Sequence, residues 1–161
     1  MKRLLLIAAI IAALIIPVHA WAAAGSCTET VASYVGGSVT VTFACTGGTA
    51  GEAGTIPTQT VSDAAMALVK GVMYLYQVKA YPTVGGTAPD AADVTVNMDG
   101  MDLLGAKGVN LIHATATQDT FPYSAFMTQY RFPPVTNTIT MAVANQATAS
   151  ANFTIELIFV R

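Results

Sequence analysis

Few residues in this 161-residue chain are of types that do chemistry, and their spacing sorts them quickly. Cys27 and Cys45 flank two β-rich runs joined through Gly36-Gly37. With Val35-Gly36-Gly37 as the turn, Tyr34 faces Ser38, and counting outward places Cys27 opposite Cys45. Directly opposed cysteines in a non-hydrogen-bonded pair stand near bridging distance, so a disulfide is expected; a one-residue slip would destroy the match. Setting aside His19 in the apolar N-terminal segment, two cysteines and one distant histidine, His113, do not make a zinc ligand set, and no metal site is expected from them.

Four aspartates, Asp90, Asp93, Asp99 and Asp102, crowd one stretch and are weak candidates for Ca²⁺, an ion that gathers several oxygen ligands. Their spacing departs from the EF-hand loop and no bidentate Glu follows. Asp90 after Pro89 and Asp99 before Gly100 occupy ordinary turn positions, so solvated turns are expected. His113 has Asp119 downstream and Ser124 as the nearest serine, but no Gly-x-Ser-x-Gly elbow, and no catalytic residue is expected. Gly47-Gly48 and Gly85-Gly86 lack the lysine and helix start of a phosphate loop, so no cofactor is expected either. The chain reads as a non-enzyme.

Phe121, Tyr123, Phe126, Tyr130 and Phe132 form an aromatic group with Arg131 among them. Exposed rings offer stacking surface to sugars or anchors to a protein partner, whereas rings folded under a loop make a small core. Arg131 is suited to stack on a ring or to pair with an acidic partner. Tyr123, Phe126, Tyr130, Arg131 and Phe132 are therefore the candidate ligand- or partner-binding residues.

The elements that must position these residues read as strands. Residues 39–43 alternate cleanly, and residues 72–81 set Val72, Tyr74, Tyr76 and Val78 against Met73, Gln77 and Lys79. A short strand at 94–97 runs into the Asp99-Gly100 turn. Residues 138–144 put Ile139, Met141 and Val143 on one face; residues 152–160 put Phe153, Ile155, Leu157 and Phe159 inward. The turn-rich stretches 85–93 and 145–151 are expected to link hairpins, and residues 63–70 to form one helical turn capped by Asp63. Leu111-Ile112-His113-Ala114 is a candidate strand within 105–134, otherwise expected to be a long ordered loop. The last strand is apolar on both faces beyond Glu156, which suits a central strand or one covered by another subunit. The expected fold is all-β, an antiparallel β-sandwich of jelly-roll or Ig-like type, occupying residues 23–161 as a single domain.

Ahead of that domain, Lys2 and Arg3 precede an unbroken apolar run at 4–16, Pro17, and the small-residue site Ala20-Trp21-Ala22. This is the layout of a signal peptide, a hydrophobic signal helix over 1–22 with cleavage expected after Ala22, and Ala20 and Ala24 as alternative sites. The alternatives are a retained anchor running through Ala24, and a lipobox Ala24-Gly25-Ser26-Cys27 with Cys27 acylated. Export to the periplasm, the extracellular space or a virion is expected, and it suits a disulfide. Without Lys2 and Arg3, five basic residues remain against nine acidic ones, a net charge of −4. With no basic cluster beyond the leader, nucleic acid is not an expected partner. A chain that is 53% hydrophobic and 10% charged is not disordered. Its weakly charged, β-branched faces can instead be covered by a neighbour at little desolvation cost.

The stretch Ala80-Tyr-Pro-Thr-Val-Gly-Gly-Thr-Ala-Pro-Asp-Ala-Ala-Asp-Val94, with Asp102-Leu-Leu-Gly105 and Asn110-Leu-Ile-His-Ala-Thr115, resembles small proteins of phage and prophage structural gene modules. The ending, residues 138–143, Ala144-Asn-Gln-Ala147 and 154–161, is similar to the same group, so the resemblance spans about Cys27 to Arg161. It implies a virion-associated β-sandwich with no assigned active site. The leader departs from that pattern, since a virion assembled in the cytoplasm needs none; a host-exported relative or an envelope-assembled particle fits it better. The expected function is a structural or interaction protein, homo-oligomeric or part of a larger phage-like or extracellular assembly. The alternative is a secreted carbohydrate-binding module using Tyr123, Phe126 and Tyr130.

Overall fold

The computed structural model describes residues 23–49, 54–124 and 127–161. The expected leader, residues 1–22, and Phe126 lie outside the described residues. The period-two runs become strands: β1 (Ser26–Tyr34), β2 (Ser38–Thr46), β3 (Gln59–Thr60), β4 (Tyr74–Pro82), β5 (Asp93–Met98), β6 (Met101–Asp102), β7 (Gln118–Thr120), β8 (Tyr123–Ser124), β9 (Gln129–Tyr130), β10 (Ile139–Ala144) and β11 (Asn152–Val160). They make a five-stranded sheet in the order β1-β2-β11-β4-β7, a four-stranded sheet in the order β3-β10-β5-β6, and the small β8-β9 ribbon. Every strand pair is antiparallel. Among the described residues there is one short helix, α1 (Asp63–Val69), and their fold is all-β in class.

The pairings nest. β2 pairs with β11, β3 with β10, β4 with β7 and β5 with β6, each pair enclosed by the one before it. That is one long antiparallel ribbon, wound so that β11 also lies against β4 and β10 against β5. Its inward residues form a single core: Phe43, Leu75, Phe153, Leu157 and Phe159 from the larger sheet meet Val96, Ile139 and Met141 from the smaller, with Val69 of α1. Fully burying a side chain of this size contributes about 1.5–3 kcal/mol, so this shared interior carries most of the stability.

The winding corrects two expectations. Residues 145–151 do not close a hairpin between the last two strands, because β10 and β11 belong to different sheets. Residues 85–93 likewise carry the chain from β4 in one sheet to β5 in the other. A period-two pattern marks a strand without naming its partner, so a crossing looks like a hairpin in the sequence. The two crossings lie side by side: Gln146 accepts from Asp90 N at 3.2 Å, and the Asp90 carboxylate accepts from Ala147 N at 3.0 Å.

Three local expectations change too. The cap of α1 is Ser62, whose Oγ accepts from Ala65 N, while Asp63 occupies the first turn, where its charge suits the helix dipole. Leu111-Ile112-His113-Ala114 is not a strand; Ile112 makes one isolated bridge to Ala92. In β4 the alternation slips, because Ile158 faces Gln77 and Phe159 faces Leu75, leaving Tyr76 as an extra bulged residue. Leu75, Val78 and Ala80 therefore point inward, and Tyr74 and Tyr76 turn outward. β11, whose role sequence left open, is a central strand of the larger sheet.

The hairpin register is as expected. Cys27 faces Cys45 and Tyr34 faces Ser38, with Cys27 and Cys45 disulfide-bonded. A sulfur held in that bond cannot also carry a thioether lipid, so this structure is incompatible with acylation of Cys27. Among the described residues no helix is long and apolar enough to cross a membrane. The disulfide points to an oxidising, non-cytoplasmic environment.

Candidate functional site

The aromatic group is gathered by three separate parts of the fold. The bulge in β4 delivers Tyr76, the end of β7 delivers Phe121, and the β8-β9 ribbon places Tyr123 directly opposite Tyr130. Phe132 follows β9. The rings form a row: Phe132 to Tyr76 at 5.1 Å, Tyr76 to Phe121 at 5.5 Å, Phe121 to Tyr130 at 6.4 Å, and Tyr130 to Tyr123 at 5.3 Å. Three of these contacts are edge-to-face, with ring planes crossing at 73–87°, the geometry aromatic quadrupoles favour. Tyr130 is 61% exposed and Phe132 45% exposed, so the row is not a core sealed under a loop.

Beside the row lies a cleft of about 550 Å³ lined by Met98, Met101, Leu103, Tyr123, Arg131 and Pro133, among others. The Asp99-Gly100 turn builds one wall. Both residues have positive φ, 54° and 78°, as a two-residue hairpin turn requires, and this sets β6 beside β5. The Asp102 carboxylate then holds the next loop through Leu104 N at 3.0 Å and Ala106 N at 2.8 Å. That loop brings Gly105, at φ 53°, so close to Tyr123 that an added Cβ would stand 2.4 Å from its carbonyl oxygen. Tyr123 N donates to Leu103 O and Arg131 N to Pro122 O, which ties the ribbon to the wall.

Two cations stand at this site. Lys107 Nζ lies 4.7 Å from the Tyr123 ring centre, a cation–π distance. Arg131 points Nη1 at Met127 Sδ, 3.3 Å away. Neither makes an ion pair among the described residues, where the ion pair is Lys79 with Glu156. The site thus combines an apolar cleft with two cations that have no carboxylate partner among the described residues.

The other candidates go elsewhere. Asp90 and Asp102 are occupied as described; Asp93 accepts from Asn110 N and Asn145 Nδ2, and Asp99 from Asn137 Nδ2. Asp102 ties down its own loop and Asp90, Asp93 and Asp99 each join their loop to a segment distant in sequence, and no three His, Cys, Asp or Glu converge among the described residues. His113 Nδ1 accepts from Thr115 N and Ala116 N. Asp119 accepts from Gln77 Nε2 and Ser124 Oγ from Met127 N. None of these three is hydrogen-bonded to another, so they do not form a relay.

Sequence reasoning found Tyr123, Tyr130, Arg131 and Phe132, which the structure brings together, and Phe121 beside them. It missed Tyr76, Met98, Met101, Gly105 and Lys107. The one available signal for Tyr76 was that Leu75 interrupts the polar side of its run with a large apolar residue. Comparison with protein-family models, curated proteins and solved structures finds no match to this chain.

Proposed function

We propose that this is an exported, non-enzymatic structural protein that uses a jelly-roll β-sandwich to join a larger, phage-like or extracellular protein assembly. The nested pairs support the fold: β2-β11-β4-β7 and β3-β10-β5-β6 are what an eight-stranded ribbon becomes when wrapped into two sheets over one core. β1 is then an added edge strand, and β8-β9 an inserted ribbon. Jelly rolls serve capsids and lectins alike, so the site must choose between them.

The observation that carries the choice is the crossing of the ring planes. A sugar ring stacks on a flat aromatic face, whereas rings at 73–87° present a corrugated surface of edges and pockets. Such a surface, beside a methionine-lined cleft and an unpaired Arg131, suits the side chains of a protein. The expected leader supplies export, and the disulfide suits the destination.

Fractionation of material from cells producing the protein tests this reading. The wild type is expected in high-mass particles, and Tyr130→Ala/Phe132→Ala is expected to move it to low-mass fractions while leaving the thermal midpoint nearly unchanged. Wild-type protein confined to low-mass fractions would overturn the assembly role. Binding on a glycan array that the same double variant abolishes would replace it with the carbohydrate reading. Intact mass spectrometry of the exported protein should give residues 23–161 less two hydrogens.

A further inference from the structure

The sheet edges are unequal. β3 and β6 are two residues long and β7 three, whereas β1 runs for nine with unbroken register against β2. Proteins guard an exposed edge with short strands, lysines, prolines or bulges, because its unpaired backbone groups recruit another strand. β1 has none of these guards. Its single charged residue, Glu29, is engaged inside its own chain, accepting from Ser62 N at 3.0 Å.

Which backbone groups are unpaired follows from the disulfide pair. Cys27 and Cys45 have Cα atoms 4.0 Å apart, which marks a narrow, non-hydrogen-bonded pair. By alternation Cys27, Glu29, Val31 and Ser33 turn their N–H and C=O away from β2. Among the described residues these groups meet no other backbone partner. The edge therefore asks for a strand, and its own sequence fits.

We infer that β1 pairs antiparallel with β1 of a second copy, about a two-fold axis through Thr30. In this register all nine residues overlap, Cys27 faces Ser33 of the second copy, and Glu29 faces Val31. Moving the axis to Glu29 would oppose the two carboxylates and shorten the overlap, so the charge selects the register. On the outer face Thr30 meets Thr30, and Thr28 meets Ala32, all uncharged. The two five-stranded sheets become one continuous sheet. This pairing is independent of the aromatic site and uses none of its residues.

Sedimentation equilibrium of the purified, oxidised chain tests the pairing. The wild type is expected to be a dimer. Thr28→Lys/Thr30→Lys/Ala32→Lys would set three pairs of like charges opposite one another, raising the dissociation constant at least about tenfold. The corresponding triple Glu variant should weaken equally, and an equimolar mixture of the two should dimerise again. If circular dichroism shows the lysine variant unfolded, Ser33→Pro decides: it removes one outward N–H without touching the β2 ladder and should also weaken the dimer. A monomeric wild type, a dimer indifferent to these changes, or a mixture that fails to re-form it would overturn the inference. Tyr130→Ala/Phe132→Ala should leave the dimer intact, separating this outcome from that for the aromatic site.

Discussion

The two edges of the five-stranded sheet are built on different principles. At one edge β1 is long, regular and tied to β2 by the Cys27–Cys45 disulfide. At the other, β7 has three residues and runs into Phe121 and the aromatic row. The first edge offers its backbone and is kept in place covalently. The second offers side chains, held by ring contacts, a two-residue ribbon and one close glycine approach. A backbone edge is read by any strand of suitable register, whereas a side-chain surface is read by shape, so the second edge has the greater capacity for discrimination.

If the disulfide secures the first edge, removing it should have the largest effect. Closing a loop of this length contributes about 3 kcal/mol in the chain-entropy model. Cys27→Ser/Cys45→Ser, or reduction of the wild type, should lower the urea midpoint by a corresponding amount, with loss of protection from hydrogen exchange beginning in β1. An unchanged midpoint would mean that β1 is held by its ladder alone. The contrast between the edges would then lose its covalent half.

The same contrast explains what was legible in the sequence. The β1-β2 hairpin was readable to the residue because everything that sets it is local: a glycine turn, alternation and two cysteines equidistant from the turn. The aromatic edge was readable only as a list of rings. Tyr76 joins it through a bulge created where β4 meets β11, far away in sequence, and Met98 and Met101 join it through the β5-β6 turn. The crossings at 85–93 and 145–151 were misread for the same reason, since partner choice is a property of the wound ribbon. The candidate calcium ligands look like a cluster in sequence only because one turn-rich stretch supplies several loops with their own aspartate.

A smaller effect is expected from disturbing the second edge at its tightest point. Gly105→Ala would put a Cβ 2.4 Å from the Tyr123 carbonyl oxygen at a residue with φ 53°. Strain of this kind costs about 1–3 kcal/mol. The near-UV circular dichroism of the tyrosines should change with it, while the β1 edge keeps its hydrogen-exchange protection. A variant with wild-type stability and spectrum would show that the loop does not hold Tyr123, and the cleft wall would have to be supported otherwise.

The smallest effect lies between the edges, on the outer face where β4 meets β11. Tyr81 Oη donates to Glu156 Oε1 at 2.9 Å, and Lys79 Nζ stands 3.6 Å from Glu156 Oε2. Burial, then the hydrogen bond and the negative charge of Glu156, raise the Tyr81 pKa above 10.0, with the Thr154 hydroxyl pulling the other way. A raised pKa means that folding favours the neutral phenol. The stabilisation is therefore fully present below pH 10 and is lost as pH climbs through the raised value in the folded state. At neutral pH, Tyr81→Phe should lose about 1 kcal/mol. Above pH 10 the wild type should lose its advantage while the variant lacks that transition, and absorbance at 295 nm should show a late tyrosinate only in the wild type. Parallel stability profiles for the two would show that this hydrogen bond does not hold the centre of the sheet. The two edges, joined through β4 and β11, would then be mechanically coupled by the core alone.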